Sequence, residues 1–340
     1  MDDTQFGTRS KRGDWSPDAR LEVAPFWTGQ WGRMGRFLLG FLWPWNAFHL
    51  AVTALYMGVL LPDWEVMKTL SWGWVLYLYA VNAAGILLLY GGIELVYYTC
   101  RKQGTRFKYN HRFPSESPSD VFWFRSQNLD NVLRTFFVSV PLWTLVLVVI
   151  LWAYANSWAS WLRWDEHWLW LVALMLWAPF WHEIHFFAIH RLIHTPFLYK
   201  WVHSVHHNSI NPSPWSSLSM HPVEGFIYHA VALWHLLIPS NPFCAVFQLN
   251  LAAYGAINGH IGFDRLELTD TVPLESHAYA HYLHHKYFEV NYGGDGLVPL
   301  DQWFGSWHDG SKEADEAMKA RFRKKKERAA ARRSAREAER

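Results

Sequence analysis

Four stretches of this chain run for more than twenty residues with almost no charge, and no other feature restricts its fold as strongly. Residues 37–61, "FLLGFLWPWNAFHLAVTALYMGVLL", carry no formal charge, and residues 72–100 carry a single acid, Glu94. Residues 133–155 include "PLWTLVLVVILWAYA", and residues 167–189 begin "HWLWLVALMLWAPFW". Each reaches the ~20 residues an α-helix needs to cross a bilayer. Burying all four in a soluble domain would need an unusually large core. Composition agrees: charged residues make up 18% of the 340, against roughly a quarter in soluble proteins. The expected fold is an all-α, polytopic membrane protein with four transmembrane helices.

Two shorter apolar stretches, 226–239 and 243–258, flank the turn "PSNP". Neither has the length of a comfortable span, so they are expected to form a hairpin dipping into one leaflet. Orientation follows from lysine and arginine in the short loops. Lys11, Arg12, Arg20, Arg33 and Arg36 precede the first span, and Arg101, Lys102, Arg106, Lys108, Arg112 and Arg125 follow the second. The intervening connections offer only Lys68 and Arg163. Both termini are therefore expected in the cytosol, and the fourth span emerges there near His190. The polar start "MDDTQFGTRSKRGDW" does not read as a secretory signal. Two cysteines, Cys100 and Cys244, give neither a disulfide framework nor a zinc motif.

The histidines begin where the fourth span ends. "HRLIHTPFLYKWVHSVHHNS" holds His190 and His194, four apart and hence on one helical face, then His203, His206 and His207. "HYLHH" repeats the second spacing as His281, His284 and His285. One box arises by chance; one H-x3-H and two H-x2-H-H boxes in one chain point to metal. Eight to ten imidazoles exceed the four ligands of a tetrahedral zinc and suit two ions. Nitrogen donors alone leave iron, copper, zinc and nickel open. A zinc protease needs H-E-x-x-H, but "HEIHF" places Phe186 at the second histidine. The Glu-x-x-His repeats of a ferritin-like di-iron bundle do not occur. A bis-histidine haem gains nothing from histidine doublets.

The three boxes, with "HPVEGF" after the second and "NYG" after the third, resemble the fatty acid hydroxylase/sterol desaturase superfamily over about residues 130–310. Within it, "HSVHHNSINPSPWSSLSMHPVEGF" is more similar to bacterial sterol-desaturase members than to ceramide hydroxylases. Glu183 stands where the family usually has aspartate, and Phe187 where many members have tyrosine. The resemblance implies a pair of iron ions, for which zinc can substitute in purified protein, with dioxygen as co-substrate. Carried over position by position, it makes His190, His194, His203, His206, His207, His281, His284 and His285 ligands and adds His260. His221 and His277 are further candidates. Glu183 and Glu224 are candidates to accept a ring N–H from a ligand and fix its tautomer. His182 and His185 fall off the face of His190 and read as structural.

The implied activity is hydroxylation or desaturation of a lipid C–H bond, on a sterol-like or acyl substrate. Trp201, Trp215 and Trp234 are candidate linings of the lipid path. The expected partners are a membrane lipid and a separate electron donor such as a ferredoxin or cytochrome, with no nucleic acid. Lys200 and Lys286 would steer an acidic donor. The basic, alanine-rich tail "KEADEAMKARFRKKKERAAARRSAREAER" reads as a solvated helix or a frayed end, and its charges would serve attraction to anionic lipid headgroups at least as well as donor steering. The expected division is a cytosolic segment 1–36, two spans with a basic loop 37–132, a catalytic domain 133–310, and a basic tail 311–340. A bacterial inner membrane is expected rather than endoplasmic reticulum. Two other readings are a histidine-rich metal-ion transporter, which would hold its ligands near the bilayer midplane, and a non-catalytic lipid-binding homologue.

Overall fold

The computed structural model describes residues 1–294 and 296–338; residues 339–340 of the expected tail lie outside that range. Four helices are long and apolar enough to cross a membrane: α1 (Trp31–Leu60), α2 (Trp72–Thr99), α3 (Gln127–Ala155) and α4 (Trp164–Ile193). A helix satisfies its own backbone N–H and C=O groups, which lipid cannot do. α1 is interrupted at Pro44, whose ring forces Trp43 into an extended conformation (φ −127°, ψ 138°). α2 shows how an almost wholly apolar helix chooses its inner face. Trp74, Leu78, Asn82, Ile86 and Tyr90 are buried at every fourth position, while Leu76, Leu87 and Leu88 face outward. Asn82 sits on the inner stripe because partners await it. It accepts from the Tyr56 hydroxyl at 2.7 Å and donates to Thr144 Oγ1 at 2.9 Å, joining α1, α2 and α3.

Shorter helices follow α4: α5 (Ser204–His207), α6 (Pro222–His229), α7 (Pro242–His260) and α8 (Tyr279–Tyr287), then the long α9 (Lys312–Ala338). α6, a 3-10 segment (Ala230–Leu236) and α7 form the hairpin. It runs deeper than the expected dip into one leaflet. Its turn meets the connection between α3 and α4 on the far side, where Leu162 N donates to Ser240 O at 2.8 Å and Ser240 N to Ser160 O at 3.3 Å. Nineteen residues give α7 a length of about 28 Å. Helices bury it nearly all round, so its polar side chains find protein partners. Asn250 donates to Thr53 Oγ1 (3.1 Å) and Gln248 to the Ala178 carbonyl (3.2 Å).

The opposite side collects everything else. Strands β1 (Gly7–Arg9) and β2 (Trp15–Pro17) pair antiparallel, as do β3 (Arg265–Glu267) and β4 (Pro273–Glu275). The N-terminal amine bonds Glu267 at 2.9 Å, Trp15 N bonds Tyr109 O, and Leu21 N bonds Asp309 O. Both chain ends, the basic loop after α2 and all three histidine boxes therefore share one side of the bundle. Lys108 of that loop is buried among the rings of Tyr98, Phe113 and Phe263, 5.2–5.6 Å from their centres. Loss of hydration there pushes its pKa down to about 7.

Candidate metal centre

The boxes are delivered by different elements to one place. His190 lies in the last turn of α4 and His194 caps it; His203 closes a π turn (Tyr199–His203) leading into α5. His260 is the last residue of α7, and the third box lies on α8. Nine histidines then sort into two groups that could each hold an ion: His190, His194, His203, His207 and His284; and His206, His260, His281 and His285. Within each group the candidate donor atoms lie within 4.8 Å of one another.

The sorting explains the H-x2-H-H spacing. On a helix the second and third members of such a box both neighbour the first but splay to opposite sides of it, about 100° apart, so the box can serve two sites. His203 and His207 enter the first group while His206 enters the second. The third box does the reverse: His281 and His285 enter the second group, and His284 crosses to the first. Each H-x2-H-H box thus gives a pair to one group and a single ring to the other, while the H-x3-H pair enters the first group whole. The two groups are adjacent, with the His207 and His285 rings 4.6 Å apart.

Ring hydrogen bonds fix which nitrogen faces inward. A carbonyl can only accept, so His190 Nδ1 donates to Tyr292 O (2.8 Å), His284 Nδ1 to Val290 O (2.6 Å), His206 Nδ1 to Ser219 O (3.3 Å) and His260 Nδ1 to Ala256 O (3.1 Å). Their Nε2 atoms are consequently lone pairs. Yet His206 Nε2 and His260 Nε2 face each other at 3.1 Å. Two opposed lone pairs repel, and no hydrogen bond accounts for the contact. Seven Nε2–Nε2 contacts of 3.1–3.2 Å occur across the two groups. A cation at ~2.1 Å from each nitrogen places neighbouring donors about 3 Å apart at a right angle, so the spacing suits a metal.

Protonation points the same way. Burial holds His203, His207, His281, His284 and His285 well below the ordinary imidazole range, and His206 falls to about 4. Neutral imidazole is the form that binds metal. Glu224 accepts from His203 Nδ1 at 2.8 Å, while its other carboxylate oxygen is buried without a partner. Burial raises the Glu224 pKa well above the carboxylate range. A nearby cation would offset the cost of ionising it.

The other candidates lie elsewhere. His221 caps α6, accepting from Val223 N, and His277 is exposed with φ +57°. Glu183 turns its carboxylate to the backbone N–H groups of Gly296 (2.9 Å) and Val298 (2.7 Å), anchoring the loop after α8. His185 bonds the Ile227 carbonyl, and neither it nor His182 joins a group. Trp215 packs in the core against Tyr90 and Phe136, whereas Trp201 is exposed.

Sequence reasoning missed the carbonyls that orient the rings, because any residue can supply one. "NYG" was the available signal. Asn291, at φ +50°, holds the turn by bonding the backbone of Ala280 and His308. Asp301 then accepts from Tyr292 N and Gly293 N, aiming the Tyr292 carbonyl at His190. Gly259 is a second such signal. A Cβ there would meet the His281 ring at 3.3 Å, a tight contact that would press the ring by a few tenths of an ångström, so glycine eases the close approach of α7 to α8.

Comparison with known proteins gives the same neighbourhood. Residues 173–306 match the family model described as fatty acid hydroxylase. A Delta(7)-sterol 5(6)-desaturase of Aspergillus fumigatus, erg3C, is 30% identical over 162 residues, covering 42% of this chain and 50% of the relative. ERG3B of Gibberella zeae, also a Delta(7)-sterol 5(6)-desaturase, is 32% identical over 150 residues, covering 42% and 44%. The chain thus spans half or less of the length of these curated relatives. Both are fungal, which lends no support to a bacterial inner membrane. No solved structure matches the chain.

Proposed function

We propose that this chain, whose residues 173–306 match the fatty acid hydroxylase family model, is a membrane-bound, non-haem di-iron oxidoreductase acting on a lipid C–H bond. The observation that carries the reading is the opposition of Nε2 lone pairs in two adjacent all-histidine groups. His190, His194, His203, His207 and His284 would hold one ion, and His206, His260, His281 and His285 the other. Bound iron would supply dioxygen activation, inserting one oxygen atom as a hydroxyl or removing two hydrogens to leave an alkene.

The chain's own side chains do the positioning. Backbone carbonyls of Tyr292, Val290, Ser219 and Ala256 hold Nδ1–H and leave Nε2 free to donate its lone pair. Glu224 does the same for His203 with a charge that strengthens the ligand. Phe186, packed 4.7 Å from His190 and 6.1 Å from His281, screens the groups from the bundle interior.

A lipid arriving laterally from the bilayer is the economical substrate, because the groups sit where α4 ends. The relatives' names favour a sterol-like lipid over an acyl chain. The same placement disfavours a transporter, which would keep its donors at the midplane. The lysine and arginine bias puts the histidine side in the cytosol. Electrons would come from a separate ferredoxin or cytochrome. Lys200, over the Trp201 ring, and Lys286, 3.5 Å from Asp315, lie at the surface it would use.

The test is to express the full chain in a sterol-containing host and compare its lipids with those of a host carrying His285→Ala. A lipid that gains one oxygen or loses two hydrogens, only with the wild-type chain and only in air, is the expected result. Identical lipid profiles under oxygen and an added reductant would refute the activity.

A further inference from the structure

A cavity of about 570 Å3 opens beside the first histidine group, with His194 in its lining. His194 is also the one member of that group that keeps partial exposure. The walls are aromatic: Tyr199 and Tyr292 stand 5.4 and 5.0 Å from the His194 ring, and Phe288 and Phe304 complete them. The lining also carries three cations, Arg191 from α4 and Arg321 and Lys325 from α9. Against them the described lining offers one carboxylate, Glu289, which pairs with both Arg321 (3.1 Å) and Lys325. One carboxylate shared by two cations leaves the cavity net positive.

Arg191 strengthens the case. Its guanidinium rests 5.3–5.8 Å from the ring centres of Phe187, Tyr292 and Phe304 and makes no ion pair among the described residues. Rings thus position a planar donor set suited to a carboxylate or phosphate. The rim lies close to the start of the first membrane-spanning helix. Trp303 and Phe304 are more than half exposed, and Trp303 packs edge-on against Trp27 just before α1 begins. A cationic, aromatic-walled cavity in that place fits an amphiphile better than a soluble metabolite.

We propose that this cavity binds the anionic headgroup, carboxylate or phosphate, of a membrane lipid, and that α9 supplies two of its three cations. α9 is held in place for this task. Asp315 accepts from the Tyr287 hydroxyl at 2.6 Å and lies 3.5 Å from Lys286, and Phe322 stacks on Tyr287. The basic tail is in this respect part of the binding site. The inference turns the proposed substrate from a neutral sterol to the acyl alternative, a lipid bearing an acidic group, and rests on the proposed function for the oxidation of its hydrocarbon part.

The test uses the full chain in uncharged detergent, with radiolabelled oleate as probe, oleyl alcohol as its neutral counterpart and inorganic phosphate as competitor. Binding is read without turnover, so a failure of the oxidation reading and a failure of this site are separate results. Wild type should prefer oleate to the alcohol. Arg321→Gln with Lys325→Gln should weaken oleate about tenfold and leave the alcohol and the metal content unchanged. Glu289→Gln should tighten oleate, because it releases both cations; a merely structural ion pair would give the opposite sign. Equal binding of oleate and alcohol, or weaker oleate binding in Glu289→Gln, overturns the proposal. Phosphate binding as tightly as oleate would assign the site to a soluble anion and overturn the lipid. Slower electron uptake with unchanged oleate binding would assign the surface to the electron donor instead.

Discussion

His207→Ala and His285→Ala should each abolish lipid oxidation, and each should lose about one metal ion per chain from a different group. The expectation follows from how the boxes divide. His207 belongs to the group of five and His285 to the group of four, yet their rings are 4.6 Å apart. Removing either leaves the neighbouring group with its full set of nitrogens. Chemistry that requires both ions should therefore vanish in both variants while one ion remains bound. His167→Ala is the control. It lies near the start of α4, at the other end of that helix from His190, and should retain activity and metal. Metal analysis with a turnover assay on the three variants decides the matter. Loss of both ions from each variant would mean that the groups are not separate sites.

Glu224→Ala should weaken metal binding by about 10- to 100-fold, the usual cost of losing a group that orients a ligand. The carboxylate holds His203 through Nδ1, and it is the only acid that hydrogen-bonds a histidine of either group among the described residues. Glu224→Gln keeps an acceptor oxygen and removes the charge. It should fall between wild type and alanine if charge and orientation both matter. Chelator competition on the purified variants measures the difference. Equal affinity for wild type, glutamine and alanine forms would show that the 2.8 Å contact does not act on the metal. Glu183→Ala should act differently, loosening the loop at Gly296 and Val298 before it affects His203.

The spans were legible because lipid demands long apolar runs, and the boxes because few structures need eight imidazoles in three helical clusters. His260 came from resemblance alone, since a single histidine at a helix end has no local signature. The depth of the hairpin was hidden for a physical reason. Gln248, Asn250 and Asn258 lower the apolarity of α7, and a helix surrounded by other helices tolerates them where lipid would not. Tail docking was hidden too. "KEADEAMKARFRKKKERAAARRSAREAER" reads as a solvated helix, and only the fold brings Asp315 to Tyr287 and Arg321 to Glu289. Glu183 and Glu224 looked alike as acids near the boxes. Backbone geometry sent one to a loop and the other to a ring.

The central claim is that two metal ions sit in two all-histidine groups, and counting metal in the purified wild-type chain tests it most directly. Elemental mass spectrometry against protein concentration should give about two ions per chain, iron in active preparations and zinc where iron is replaced. X-ray absorption at the metal edge should show nitrogen neighbours at about 2.1 Å and no sulfur. One ion per chain, in protein that is fully active, would contradict the account.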